Sequence, residues 1–147
     1  MRTTIKTLLL ALPLLAAGFA ANAAGGDATG RWKTIDDKTH KPKSIVEISR
    51  AADGVLSGKV VQILQSDKGP HPVCDQCDGD NRNKPIEGMT ILWGLKADGE
   101  NAWSGGTILD PANGKTYRSK MELTDAQHLS VSGCILFICR SQTWIRD

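Results

Sequence analysis

Turn dipeptides divide much of this chain into short segments, and this spacing limits the folds it can form. They occur at Asp53-Gly54, Asp98-Gly99 and Asn113-Gly114. Their residues tolerate the positive φ angles of primed hairpin turns. The segments around them are rich in β-branched and aromatic residues, and none after Thr29 has sustained helical apolar spacing. The sequence therefore predicts an all-β domain in which consecutive strands pair antiparallel.

Eight strands are predicted. They cover residues 30–35, 43–49, 55–64, 89–95, 101–109, 115–123, 128–133 and 140–146. An open sheet of this size leaves two exposed edges, and closure into an up-and-down barrel removes them. We therefore expect an eight-stranded antiparallel barrel, with a two-sheet β-sandwich as the alternative.

Residues 117–123 alternate between a polar and a less polar face. The first face carries Arg118, Lys120 and Glu122, and the second carries Tyr117, Ser119, Met121 and Leu123. Large side chains can just fill the interior of an eight-stranded barrel, so small residues on the inner face could leave space for one small ligand. Alternatively, inward glycines relieve strain at bends or admit a large neighbour.

Residues 1–23 are predicted to be a signal peptide. Arg2 and Lys6 flank the start of an apolar run over residues 8–19 that is too short to span a bilayer, and Ala21-Asn22-Ala23 offers small residues for cleavage. Residues 24–147 then form a single domain, which we expect in the periplasm or outside the cell.

The charge of the predicted mature domain argues against nucleic acid as a partner. The full chain has 18 basic and 16 acidic residues, and the predicted signal peptide holds two of the basic ones and no acid. The mature domain is therefore neutral overall, and its sequence has no basic block that would indicate binding to nucleic acid or to anionic lipid.

Four cysteines form two closely spaced pairs, Cys74 with Cys77 and Cys134 with Cys139. In an exported chain such pairs indicate disulfides. Crosswise pairing would constrain the unfolded chain more, but local pairing is expected because the two pairs can lie far apart on a barrel. The alternatives are a zinc site of four thiolates and a thiol-exchange centre at residues 74–77, although acidic neighbours do not favour a reactive thiolate there.

Both cysteine pairs adjoin segments that could meet a partner. Residues 65–88 form a long connection, and such loops are commonly lids, binding loops or mobile segments. Residues 134–139 enclose four large apolar side chains at a predicted hairpin tip. We expect this tip either to pack under a neighbouring loop or to act as a barrel lip, a dimer contact or a weak membrane contact.

The two ends of the predicted domain resemble those of lipocalins and related calycin barrels. Gly30-Arg31-Trp32 opens the first strand, and Thr143-Trp144-Ile145-Arg146 closes the last. In those barrels a Gly-x-Trp packs at the closed end against a basic residue of the last strand. The resemblance implies that Gly30, Trp32, Trp144 and Arg146 close the barrel, with the Arg146 guanidinium stacked on the Trp32 indole.

A series of motifs extends a resemblance over nearly the whole domain. It runs through Gly30-x-Trp32, Gly58-Lys59-Val60-Val61, Cys74-x-x-Cys77, Ile86-x-Gly88-Met89, Trp103-x-Gly105-Gly106-x-Ile108-Leu109-Asp110-Pro111, Gly114-Lys115-x-Tyr117 and Gln142-Thr143-Trp144-x-Arg146. The series is similar to that of a family of small exported bacterial proteins catalogued as a domain of unknown function. This resemblance implies a lipocalin-like barrel and brings no established activity.

No catalytic set is predicted. His40, His71 and His128 stand in turn-like or strand-start contexts, and the chain has neither Gly-x-Ser-x-Gly nor His-Glu-x-x-His. We therefore expect a protein that is not an enzyme and that carries no cofactor or catalytic metal.

The predicted function is an exported binding protein for a small apolar or amphipathic molecule. The candidate ligand-binding residues are Trp93, Trp103, Tyr117, Met121 and Phe137. One alternative is an envelope protein-interaction module that uses residues 65–88 and 134–139. The others are a structural zinc protein and a thiol-disulfide redox protein, both acting through the four cysteines.

Overall fold

A computed structural model describes residues 26–147, and its eight strands form a closed antiparallel barrel. The strands are β1 (Gly30–Ile35), β2 (Pro42–Arg50), β3 (Leu56–Ile63), β4 (Thr90–Ala97), β5 (Ala102–Asp110), β6 (Lys115–Asp125), β7 (His128–Ile135) and β8 (Ile138–Arg146). Each strand pairs with the next, and β8 pairs back with β1. The predicted barrel is confirmed and the sandwich alternative is wrong. The predicted signal peptide lies outside the described residues.

All eight predicted strands are present, and their ends differ from the prediction by at most two residues. The β7–β8 hairpin shows the clearest difference, because its ladder continues past Gly133 and Arg140. It pairs Cys134 with Cys139 and finally Ile135 with Ile138. A short 3-10 helix (Gly79–Asn81) lies in the connection between β3 and β4. Within residues 26–147, no helix has the length and apolar character that crossing a membrane requires.

Two glycine bulges change which side chains face the interior. Gly94 and Gly105 have φ angles of 74° and 72°, a conformation that favours glycine. The β3–β4 register shifts around Gly94, and the β5–β6 register shifts around Gly105. Each bulge adds a residue to its strand and interrupts strict alternation.

The bulge at Gly94 explains why Trp93, a predicted ligand-binding residue, does not face the barrel interior. Strict alternation would place Trp93 on the same face as Leu95, which is fully buried. Instead Trp93 pairs with Thr107 and is 37% exposed. It lines an open groove of about 610 Å³ together with Pro85 and Glu87 of the β3–β4 connection. Trp93 therefore does not line the barrel interior, where the ligand is predicted to bind.

The connections between strands divide into two groups at opposite ends of the barrel. We call one end the closed end; it carries residues 26–29, 51–55, 98–101 and 126–127. We call the other the open end; it carries residues 36–41, 64–89, 111–114 and 136–137. In an up-and-down barrel, successive turns lie at opposite ends. The long connection between β3 and β4 and the apolar hairpin tip between β7 and β8 therefore lie at the same end.

The cysteines form two local disulfides, Cys74–Cys77 and Cys134–Cys139, with Cα–Cα separations of 5.3 and 4.0 Å. Both lie at the open end, and no cysteine within residues 26–147 is free. The zinc alternative needs four thiolates, so it does not match these two disulfides. The thiol-exchange alternative stays a prediction, because a disulfide is also the oxidised form of a thiol-exchange centre.

Candidate functional site

The closed end is plugged by Trp32, whose side chain is completely buried. Its indole N–H donates a hydrogen bond to the Ala28 carbonyl over 2.8 Å. The Arg146 guanidinium carbon lies 4.1 Å from the centre of the indole ring, which is a cation–π contact. Gly30 lies beside this contact with a φ of 109°, and a Cβ there would stand 3.4 Å from Arg146 Nη1. A larger residue would therefore be strained by its backbone conformation.

The Arg146 guanidinium also ties three chain segments together. Its N–H groups donate to the main-chain carbonyls of Ala126, Thr29 and Asp27 over 2.8, 3.1 and 2.9 Å. The planar fork of an arginine can satisfy several carbonyls at once while its face stacks on a ring. Arg146 thus fastens the start of the domain and the β6–β7 turn over Trp32.

Three more predicted site residues lie in the packed core of the barrel. Trp103, Met121 and Trp144 are only 4%, 2% and 2% exposed. Trp103 and Met121 stand opposite each other on β5 and β6, and Trp144 stands opposite Leu129. Trp103 and Met121 are thus core residues beneath the closed end, and they leave no exposed surface there for the ligand they were predicted to contact.

The open half of the barrel differs, because inward-facing side chains remain accessible to solvent. Residues opposite each other in a ladder share a face of the sheet. Ile108 stands opposite Leu92 and Tyr117, and Gln142 stands opposite Val131. Leu92 and Val131 are buried in the core, whereas Ile108, Tyr117 and Gln142 are only half-buried.

Ile63, Gly133 and Arg140 extend this accessible inner surface. Ile63, also half-buried, stands opposite Ser44. Gly133 stands opposite Ser119 and Arg140, and a Cβ on Gly133 would lie 3.4 Å from side-chain atoms of Ile108 and Tyr117. We call this surface the cup. It comprises Ile63, Ile108, Tyr117, Gly133, Arg140 and Gln142.

Hydrogen bonds fix the polar groups around the cup. The Trp144 indole N–H donates to Gln142 Oε1 over 2.8 Å, and Gln142 Nε2 donates to Asp37 Oδ1 over 3.2 Å. The second bond joins β8 to the β1–β2 turn. It lies beyond the end of the β1–β8 ladder, which is only two residue pairs long. Asn113 Nδ2 donates to the Tyr117 hydroxyl oxygen over 2.9 Å. The hydroxyl hydrogen of Tyr117 can therefore be donated to another group.

The long connection between β3 and β4 is anchored on the β5–β6 turn. Cys74 and Cys77 are buried, and Cys74 Sγ lies 3.5 Å from the Pro111 carbonyl oxygen. Gly114 has a φ of 71°, and a Cβ there would overlap the main-chain carbonyl of Gln76. The Cys74–Cys77 disulfide therefore cross-links a loop that is packed at the rim of the barrel.

An ion pair on the surface of this loop joins Lys68 to Asp75 over 2.6 Å. The hydrogen bond from Lys68 is the main cause that lowers the pKa of Asp75 below its ordinary value. Both side chains are about half exposed, at 49% and 44%, so the pair contributes little to global stability.

The tip of the β7–β8 hairpin extends into solvent. Ile135, Leu136, Phe137 and Ile138 are 63%, 78%, 99% and 78% exposed. The expectation that a neighbouring loop covers them is therefore wrong. Phe137 also lies outside the barrel interior, so it does not line the cup as a ligand-binding residue. Of the five predicted ligand-binding residues, only Tyr117 belongs to the cup.

The comparison with known families identifies the chain. The model of a bacterial family described as "Uncharacterized protein conserved in bacteria (DUF2147)" matches residues 30–146, which include all eight strands. The chain belongs to this family. The resemblance read from the ordered motifs is thereby confirmed.

This DUF2147 barrel is also similar to a solved structure, protein HP1028 from the human pathogen Helicobacter pylori, which is described as belonging to the lipocalin family. The TM-score is 0.71 over 83% of this chain and 84% of that chain, with 19% sequence identity. At this identity the likeness establishes a shared fold. No curated protein sequence matches the chain.

Sequence reasoning missed most of the cup in this DUF2147 protein, namely Ile63, Ile108, Gln142 and Arg140. If every second residue after the buried Trp103 faced inward, Ile108 would face outward. The bulge at Gly105 adds a residue to the strand, so Ile108 faces inward instead. For Gln142, a usable signal was present, because it lies two residues before the buried Trp144 on the same strand. Within residues 26–147, no three His, Cys, Asp or Glu side chains are grouped to hold a metal ion.

Proposed function

We propose that this protein is an exported binding protein that holds a small, partly apolar ligand in the cup. The observation that carries the proposal is the contrast along the barrel axis. Trp32, Leu129 and Trp144 are at most 2% exposed on the inner face, whereas Ile108 and Tyr117 on the same face are half-buried. A fold that plugs one end and leaves inner side chains accessible at the other is suited to hold one small molecule.

The residues of the cup indicate the chemistry of the ligand. Ile63, Ile108 and the Tyr117 ring offer apolar contact, which favours a ligand with an apolar body. The Tyr117 hydroxyl and the Gln142 amide can form hydrogen bonds, and the Arg140 guanidinium carries a positive charge. We therefore propose an amphipathic ligand whose polar or anionic end lies near Arg140.

Export is part of the proposal. Its supports are the basic start of the chain, the apolar run over residues 8–19 and the small residues Ala21-Asn22-Ala23. Two disulfides also fit an oxidising compartment such as the periplasm or the exterior of the cell. Cleavage near Ala23 would release the barrel as a mature domain.

Filling the cup tests the proposal. Gly133→Val places two methyl groups between Ile108 and Tyr117, and the glycine has an ordinary strand conformation that valine can adopt. Ser130→Val, on the outer face of the same strand opposite Glu122 and Thr143, is the matched control. An anilinonaphthalene sulfonate dye, which has an apolar body and an anionic end, serves as the fluorescent probe.

The proposal predicts saturable dye binding that Gly133→Val weakens at least about tenfold, a loss typical of filling a small apolar site. Ser130→Val should bind like the unchanged protein. Native mass spectrometry of the protein purified from its host should also show a co-purifying small molecule, which Gly133→Val loses. Absence of dye binding, or equal binding by both variants, would refute the ligand-binding proposal.

A further inference from the structure

Exposed apolar side chains are concentrated at one end of this barrel. Eight large hydrophobic residues in the described structure are notably exposed, and six of them lie at the open end. These six are Leu64, Val73, Ile135, Leu136, Phe137 and Ile138. The four on the β7–β8 hairpin are consecutive, and we call them the apolar tip. Soluble surfaces rarely expose such a cluster without an interaction to cover it.

The apolar tip is convex and tied at its base. β7 ends at Ile135 and β8 begins at Ile138, so Leu136 and Phe137 form the whole turn, and Leu136 has a φ of 52°. The Cys134–Cys139 disulfide links the two strands directly beneath it. A protein partner would need a pocket to receive such a protrusion. A fluid surface needs none, because it deforms around inserted side chains.

The strands below the tip are basic. Lys115, Arg118, Lys120 and Arg140 are exposed on β6 and β8, and residues 115–121 and 128–143 contain no Asp or Glu. Arg118 stands directly opposite Cys134, and Arg140 follows Cys139 in the chain. Asp78 of the long connection shares a groove with Arg118. Among residues 26–147, no ion pair engages any of these four basic side chains.

We propose that the apolar tip docks the protein on a bilayer surface rich in anionic lipid. The apolar side chains would enter the boundary between headgroups and acyl chains, and the basic residues would meet lipid phosphates. The mature domain is neutral overall and Asp75, Asp78 and Asp80 of the long connection lie at the same end, but Lys115, Arg118 and Arg140 lie next to the apolar tip on β6 and β8. Docking in this way turns the open end toward the membrane. If the cup binds a ligand as proposed above, its mouth would then face the source or destination of an amphipathic molecule.

Vesicle binding tests the docking without any ligand in the cup. The purified protein is sedimented with vesicles of equal parts phosphatidylglycerol and phosphatidylcholine, and separately with phosphatidylcholine alone. Phe137→Glu removes the most exposed side chain of the tip, so it should not disturb the fold. Ile145→Glu is the matched control, because Ile145 is a 39% exposed apolar residue near the closed end of the barrel.

Anionic vesicles should retain the protein, and Phe137→Glu should weaken this binding at least about tenfold. Replacing both Lys115 and Arg118 by Gln should weaken vesicle binding about fivefold for each charge removed. Added salt should also weaken vesicle binding, because it screens the charges. Ile145→Glu should leave it unchanged. Binding that Phe137→Glu does not reduce, or no binding at all, overturns the proposal.

Self-association through the tip would show that the tip contacts a second copy of the chain and not a membrane. Size-exclusion chromatography without vesicles should show a monomer. An oligomer that Phe137→Glu dissociates would identify a second copy of the chain as the partner, and it would overturn membrane docking. Dye binding by the Phe137→Glu protein is measured in parallel, so that a failure of docking is distinguished from a failure of the cup.

Discussion

The two ends of this barrel use the same eight strands in opposite ways. At the closed end, Trp32, Leu129 and Trp144 are covered, and Arg146 fastens the surrounding segments. At the open end, inner side chains such as Ile108 are half-buried, and Phe137 is 99% exposed. The comparison indicates that stability is concentrated at one end, and that surface available for binding is concentrated at the other.

Removing the plug should cause the largest loss of stability. We expect Trp32→Ala to lower the free energy of unfolding by about 3–5 kcal/mol, because it empties a fully enclosed site. The matched change at the open end, Tyr117→Ala, should cost about 1 kcal/mol, because that ring is already accessible to solvent. Urea denaturation of both variants makes the comparison. Equal losses would mean that the two ends do not differ as described.

Arg146→Lys should produce the next largest effect. A lysine cannot reach the carbonyls of Ala126, Thr29 and Asp27 together, so we expect a loss of about 2 kcal/mol. Arg140→Lys, at the open end, should change stability by less than about 0.5 kcal/mol, since Arg140 is exposed. Thermal unfolding measures both. A similar change in melting temperature for the two variants would contradict the role given to Arg146.

The anchoring of the long connection can be tested at Gly114. Gly114→Ala should cost about 2 kcal/mol, of which about 1 kcal/mol is the strain of a positive φ and the rest comes from displacing Gln76. Gly54→Ala is the control, because Gly54 also has a positive φ but has nothing within 4 Å of its missing Cβ. Hydrogen exchange should show faster exchange over residues 72–86 only in Gly114→Ala. Equal exchange in both variants would show that the loop is not held by this contact.

Acid should weaken the closed end through Asp147. Hydrogen bonds from Lys33 and then from Arg31 lower the pKa of Asp147 below its ordinary value of 3.8. The folded state therefore binds fewer protons than the unfolded state, and the stabilisation from Asp147 is present above pH 3.8 and lost as the pH falls through the folded pKa. The pKa of Asp75 at the open end is lowered in the same direction by Lys68.

The two aspartates should nevertheless respond differently when replaced. Asp147→Asn should reduce the acid dependence of global unfolding slightly, because this residue ties the chain end to β1 through Arg31 and Lys33. Asp75→Asn should alter only local opening of the long connection, because Lys68 and Asp75 both belong to that segment. Urea midpoints measured at neutral and acid pH provide the test. A larger effect of Asp75→Asn on global unfolding would contradict the comparison.

The sequence predicted the barrel well, because its strands and turns are encoded locally. The dipeptides at residues 53–54, 98–99 and 113–114 stand at strand connections, and alternation along β6 correctly separates Arg118 and Lys120 from Met121. The disulfide pairing also followed from short separations, since a two-residue turn brings Cys134 and Cys139 opposite each other. In each of these cases the relevant partners are close in sequence.

The candidate site was harder to predict, because it depends on register across several strands. The bulges at Gly94 and Gly105 reverse the faces expected for Trp93 and Ile108, and a glycine in a strand does not by itself reveal a bulge. Aromatic character also favoured Trp103 as a ligand-binding residue, but the structure buries this side chain in the core. Period-two alternation fails wherever an extra residue enters the ladder.

The central claim is that a small amphipathic molecule binds at the open end and leaves the closed end unchanged. Nuclear magnetic resonance of the isotope-labelled protein, titrated with the anilinonaphthalene sulfonate dye, locates binding residue by residue. Amide shifts should change at Ile108, Tyr117, Gly133 and Gln142, and should stay constant at Trp32 and Leu129. Shifts confined to Phe137 and its neighbours, or centred on the closed end, would contradict the claim.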